Sequence, residues 1–131
     1  MAKIIHTMIR VLDLDKSIGF YRDALGLELS NRLDFDDFSL VYLRNPENDV
    51  ELELTWNRDQ TEPYTHGTGY GHIAVTVDDL ETEHARFKTA GYEPRDIMSL
   101  SSEDKEAAKF FFMKDPDGYE IEFIQKHGHY Q

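Results

Sequence analysis

The chain contains the same unit twice. Residues 6–24 (HTMIRVLDLDKSIGFYRDA) lie over 72–90 (HIAVTVDDLETEHARFKTA) at a constant offset of 66. His6 then falls on His72, Val11 on Val77, Asp13 on Asp79, Leu14 on Leu80, Tyr21 on Phe87 and Ala24 on Ala90. Dropping one residue brings Gly26 onto Gly91. LVYLRNPEN (40–48) matches FFFMKDPDG (110–118) at offset 70, and VELEL (50–54) matches YEIEF (119–123) at offset 69. Three matches in one order mark a repeated supersecondary unit, the feature that most narrows what this chain can fold into. The expected modules are residues 1–60 and 67–131, together forming one domain over 1–126.

Each half predicts the same elements. Ile4–Val11 and His72–Val77 alternate apolar residues as strands do. Asp13, and Asp78 or Asp79, are N-cap residues, and Asp78 with Glu81 fits a capping box. Leu14, Ser17, Ile18, Tyr21 and Leu25 form one face of a helix that stops at Gly26; Leu80, His84 and Phe87 repeat the stripe before Gly91. Further strands are expected near 27–33, 37–44 and 50–57, then near 92–98, 108–114 and 118–125. Asn45-Pro46-Glu47-Asn48 and Asp115-Pro116-Asp117-Gly118 supply turns. The unit is βαβββ, twice, an α+β fold. Four strands with a helix on one side make a curved sheet whose other face is bare. Two such sheets, from one chain or exchanged between two, pair into a barrel with the helices outside and a cleft within.

Composition narrows the partners. The 131 residues carry a formal charge of −12, which argues against nucleic acid and anionic membrane surfaces. There is no cysteine, which excludes disulfides, thiolate metal sites and a cysteine nucleophile. No apolar run reaches a membrane span, and the start meets acidic residues too soon for a secretory leader, so the expected location is cytoplasmic.

Strand parity supplies the chemistry. Residues two apart share a face, so His6, Met8 and Arg10 oppose Ile5, Ile9 and Val11, and His72 is placed likewise. Val50, Leu52 and Leu54 oppose Glu51, Glu53, Thr55 and Asn57, and Tyr119, Ile121 and Phe123 oppose Glu120 and Glu122. Each half thus puts one His on its first strand and one Glu on its fourth, facing away from the helix. The spacings are 47 residues in the first half and 50 in the second. Two imidazoles and two carboxylates, His6, Glu53, His72 and Glu122, make a four-ligand set for a divalent cation. A lone strand Glu is usually solvated; recurrence at equivalent positions is what singles these out. The other histidines read differently: His84 as a half-buried helix residue, His66 as a loop residue at the surface or else in contact with substrate, and His127 and His129 as parts of a mobile tail. Gly71 eases the chain into its strand, and Ser102-Glu103-Asp104 reads as a solvated loop.

The segments IIHTMIRV (4–11), DLDKSIGFYRDALGLEL (13–29), ELTWN (53–57), GTGYGHIAV (67–75) and DPDGYEIEF (115–123) closely resemble glyoxalase I, of the vicinal-oxygen-chelate superfamily. The likeness spans nearly the whole chain. It implies that His6, Glu53, His72 and Glu122 are the metal ligands, and that homodimers pair the first module of one chain with the second of the other. It implies isomerisation of the methylglyoxal–glutathione hemithioacetal to S-lactoylglutathione, a step in methylglyoxal detoxification. There the cation holds two neighbouring oxygens and steadies an enediolate, and a carboxylate shuttles the proton. The family's base matches Glu122, with Glu53 as its counterpart. Arg10 and Asn57 match positions that hold the glutamyl end of the thiol. The loop that carries basic residues in the family is here Ser99–Ala107, SLSSEDKEA, with Lys105 alone, and Leu43–Asp49 is short. These departures bear on the thiol more than on the chemistry. A short chain with His as first ligand resembles the nickel- or cobalt-activated type, with zinc possible. Other members of the superfamily would give a thiol transferase, an epimerase, a dioxygenase or a metal-free drug-binding protein. Four protein ligands argue against the dioxygenase, and the paired His and Glu against the binding protein.

Overall fold

A computed structural model describes residues 1–103 and 105–131, with Lys105 and Glu106 described by backbone alone. The chain divides into two compact units, Met1–Thr65 and His66–Gln131. The first contains β1 (His6–Val11), α1 (Leu14–Leu25), β2 (Glu28–Asp34), β3 (Phe38–Arg44) and β4 (Glu51–Asn57). The second contains β5 (Ile73–Val77), α2 (Leu80–Thr89), β6 (Met98–Ser102), β7 (Lys105–Lys114) and β8 (Glu120–Gln125).

Both sheets have one topology. The first runs β1-β4-β3-β2 and the second β5-β8-β7-β6. β1 pairs parallel with β4, and β5 with β8; the remaining pairs are antiparallel. The parallel pair follows from the crossover helix after the first strand, since a tight hairpin can join only antiparallel neighbours. The register is duplicated as well: Met8 stands beside Glu53 in one unit, and Ala74 beside Glu122 in the other.

Burial follows the alternation. Ile9 and Val11 of β1, Val41 and Leu43 of β3, and Leu52 and Leu54 of β4 are buried, with Leu14, Ser17, Phe20, Tyr21 and Ala24 of α1. Ile18 and Leu25, expected on that helix face, are half-buried at its flank, because the stripe centres on Phe20 and Tyr21. In the second unit Phe87 of α2 packs edge-on to Phe123 at 5.0 Å, while Phe111 and Phe123 stack at 4.9 Å. His84 is half-buried on α2, its Nε2 2.8 Å from the Arg95 carbonyl and its ring edge-on to Phe111.

The helix ends are cap-driven. The Lys16 N–H donates to Asp13 Oδ1 at 3.1 Å, and the Thr82 N–H to Asp79 Oδ1 at 3.0 Å. The expected Asp78–Glu81 capping box is therefore absent. Asp79 is the cap, and Glu81 instead pairs with Lys109. α1 stops at Gly26, whose φ of 68° is the left-handed conformation that costs glycine nothing.

Three other sequence expectations shift. The strand foreseen near 92–98 lies at Met98–Ser102, because Pro94 has no N–H for the ladder. The loop foreseen over Ser99–Ala107 is accordingly a hairpin of β6 and β7. Ser102 ends β6, Glu103 turns at φ 52°, and Asp104 lies outside the described residues. The C-terminal tail closes on itself rather than running free: His127 and Tyr130 exchange backbone hydrogen bonds of 2.8 and 3.0 Å.

Candidate metal-ligating pairs

In the first unit His6 and Glu53 approach through Nε2 and Oε2 at 3.8 Å. His6 begins β1; Glu53 sits in the middle of β4, an interior strand, which leaves its residue only 8% exposed. A carboxylate so far out of water needs partners. One is Tyr42, directly opposite on β3, whose hydroxyl donates to Glu53 Oε1 at 2.6 Å. The bond raises the Tyr42 phenol above its ordinary range, since ionisation would break it and set two anions together. The Tyr42 ring also stands edge-on to His6 at 5.6 Å. Oε2 is left facing the imidazole.

The second unit repeats the arrangement. His72 Nε2 lies 3.2 Å from Glu122 Oε2. His72 precedes β5 by one residue instead of lying within it, yet its side chain reaches the carboxylate. Phe112, opposite Glu122 on β7, takes the place of Tyr42 and stands edge-on to His72 at 5.2 Å.

The donor set fits a divalent cation. Ligands about 2.0–2.2 Å from a metal and adjacent at right-angled to tetrahedral geometry stand roughly 3.0–3.5 Å apart. His72 and Glu122 already have that separation, and His6 and Glu53 are a few tenths of an ångström wider. Among the described residues, no three or more of His, Asp and Glu gather into one cluster within the chain. Each unit thus holds one imidazole–carboxylate pair.

The other predicted residues are placed as follows. Arg10 is exposed on β1, on the face of His6 and Met8, beside Thr55 in the register. Asn57 is half-buried at the end of β4, and its Nδ2 donates to the Tyr64 hydroxyl at 3.1 Å. The Lys105 side chain lies outside the described residues. His66 is half-buried: its ring stacks on Tyr119 at 4.1 Å, and its Nε2 is buried. Tyr70 beside it donates to the Glu120 carbonyl at 3.1 Å, and burial pushes its phenol up to about 12. Nothing in the sequence alone singles out Tyr42. The offset of 70 that lays it on Phe112 was visible, but only the pairing register shows that each stands opposite a Glu.

Residues 3–123 match the family described as the Glyoxalase/Bleomycin resistance protein/Dioxygenase superfamily. A lactoylglutathione lyase of Haemophilus influenzae is 41% identical over 128 residues, covering 94% of this chain and 92% of that protein. One from Neisseria meningitidis serogroup A is 40% identical over 129 residues, covering 95% and 91%. Among solved structures, the trypanothione-dependent glyoxalase I of Leishmania major aligns with a TM-score of 0.78 at 36% identity, over 96% of this chain and 88% of that one. Glyoxalase I from Zea mays aligns with a TM-score of 0.83 at 30% identity, over 96% of this chain and 45% of its own longer chain. With the doubled βαβββ topology and a His–Glu pair in each copy, the chain belongs to this superfamily, on its glyoxalase I, or lactoylglutathione lyase, branch.

Proposed function

We propose that the protein isomerises the hemithioacetal of methylglyoxal and glutathione to S-lactoylglutathione, with one divalent metal per site held by His6, Glu53, His72 and Glu122. The observation that carries this reading is the imidazole–carboxylate pair recurring at equivalent positions of both units, 3.8 and 3.2 Å across. It stands in a chain about 40% identical to proteins named lactoylglutathione lyase. Sites are completed in a homodimer, His6 and Glu53 coming from one chain and the second pair from its partner. Nickel or cobalt is favoured, with zinc, which imidazole also suits, as the alternative. The location is cytoplasmic.

Bound there, a divalent cation supplies Lewis-acid stabilisation of the charge that develops on two neighbouring substrate oxygens. The chain's own residues do the rest. Glu122 takes the proton from the carbon bearing sulfur and returns it to the adjacent carbon, so the net change is an isomerisation with no redox partner. Arg10, with Asn57, meets the anionic thiol on a protein whose net charge of −12 otherwise repels it. Lys105 is the remaining cation on this reading. The relative from Leishmania major is trypanothione-dependent, so the thiol is the part of the reading to vary. Metal-stripped protein is reloaded with nickel, cobalt or zinc and given the adduct of methylglyoxal with glutathione or another cellular thiol. Appearance of the lactoyl thioester, lost almost entirely in Glu122→Gln, is expected; no thioester with any metal and thiol overturns the reading.

A further inference from the structure

Across the ladder from each unit's Glu, the two halves of the candidate site differ by one oxygen atom. Tyr42 and Phe112 occupy equivalent positions, each directly across the strand ladder from its unit's Glu and each edge-on to its unit's His. Only Tyr42 carries a hydroxyl. Its 2.6 Å bond to Glu53 Oε1 has the length of a charge-assisted O–H···O⁻ contact. A phenylalanine at 112 has no donor to offer Glu122. We propose that Tyr42 is a positioning residue that breaks the symmetry of the duplicated site, holding Glu53 as a fixed ligand while Glu122, without a phenol, is free to move a proton.

The reasoning is local. A carboxylate with one oxygen bonded to a rigid phenol keeps its other oxygen on a fixed heading, and its rotation costs a charged hydrogen bond. That suits a permanent ligand and hinders a base, which must swing toward carbon and back. Glu122, opposite an apolar ring, meets no such restraint from that strand. Two near-identical carboxylates are thus given different duties by one oxygen atom, and the duplication supplies the internal control.

The inference rests on the proposed metal-dependent isomerisation, and its test separates the two. Nickel affinity of Tyr42→Phe, measured by competition with a chelator, is expected to fall about tenfold to a hundredfold. Phe at this position is a fold-compatible choice, since the second copy already carries one. The reciprocal Phe112→Tyr is expected to lower kcat at least tenfold with KM nearly unchanged and nickel affinity kept. Should that variant fail to fold, Tyr42→Phe in the Glu122→Gln background is the second arm, expected to raise residual turnover by releasing Glu53. Nickel affinity of Tyr42→Phe within twofold of the parent, an unchanged kcat in folded Phe112→Tyr, or no change in kcat in the second arm where it is needed, overturns the proposal. If the parent protein forms no thioester, the proton-transfer half falls with the function, and the affinity measurement alone decides the positioning half.

Discussion

Asp115→Ala removes the side chain that shapes the last turn before β8. Asp115 is 5% exposed, and its Oδ1 accepts the N–H groups of Asp117 and Tyr119, both at 2.9 Å. Hydrogen bonds to a charged acceptor contribute about 1.5–3 kcal/mol each, and a buried N–H left without a partner costs about 1–3 kcal/mol. Tyr119 is itself buried, so water can reach only the Asp117 N–H with ease. The two effects overlap, and the loss is about 3 kcal/mol, a large share of the roughly 5–15 kcal/mol that keeps a domain folded. With a urea slope of about 2 kcal/mol/M, the unfolding midpoint drops by about 1.5 M. The repeat supplies the control. Asn45 opens the equivalent turn, where its Oδ1 accepts the Glu47 N–H at 3.0 Å in a half-exposed setting. The same Oδ1 accepts from Asn48 Nδ2 at 2.6 Å, and Asn45 Nδ2 donates to the Leu25 carbonyl at 3.3 Å; being neutral and wetter, the three bonds together are worth about 1–2 kcal/mol. Urea unfolding followed by circular dichroism compares the two. A change under 0.5 kcal/mol for Asp115→Ala, or an equal loss for Asn45→Ala, would refute the reasoning.

Two further outcomes follow from particular contacts. The backbone N–H of Thr82 holds the Asp79 carboxyl below its ordinary value of 3.8, so this cap stabilises the fold fully above about pH 4 and loses its contribution as pH falls through the lowered value. Asp79→Ala is therefore less stable than the parent at neutral pH, and the gap between their unfolding midpoints closes in acid; a gap independent of pH would remove the charged cap. Mixing His6→Ala protein with His72→Ala protein tests the exchanged dimer. In a mixed dimer, one site carries both lesions and the other carries none, so activity returns. If each site were built within one chain, no mixture would recover any.

Much of the architecture is legible in the sequence because the duplication checks itself. Ile9 with Val11 and Leu52 with Leu54 announce buried strand faces, and Asp13 and Gly26 bracket α1. β6 is the misread strand: like β2 it is exposed throughout, and its Met98-Ser99-Leu100-Ser101 alternation begins only where the expected 92–98 segment ends, beyond Pro94. At the candidate site, parity along single strands was enough to put His6 with Glu53 and His72 with Glu122. It was not enough to find Tyr42, because which residues stand opposite depends on the register between strands. The β3–β4 and β7–β8 ladders that set it are unbroken; the bulges of each unit lie one pairing further out, between Leu29 and Asn31 and between Leu100 and Ser101. The half-burial of His66 is equally invisible in the sequence: its neighbours in the chain are polar and small, and its partner Tyr119 lies far along the sequence.

The central claim is that the two His–Glu pairs serve one cation, and metal stoichiometry tests it most directly. Nickel titration of the metal-stripped protein should saturate at one ion per chain, and either His6→Ala or His72→Ala should abolish tight binding altogether. Two ions per chain, or a variant that keeps half of its tight sites, would mean that each pair acts alone.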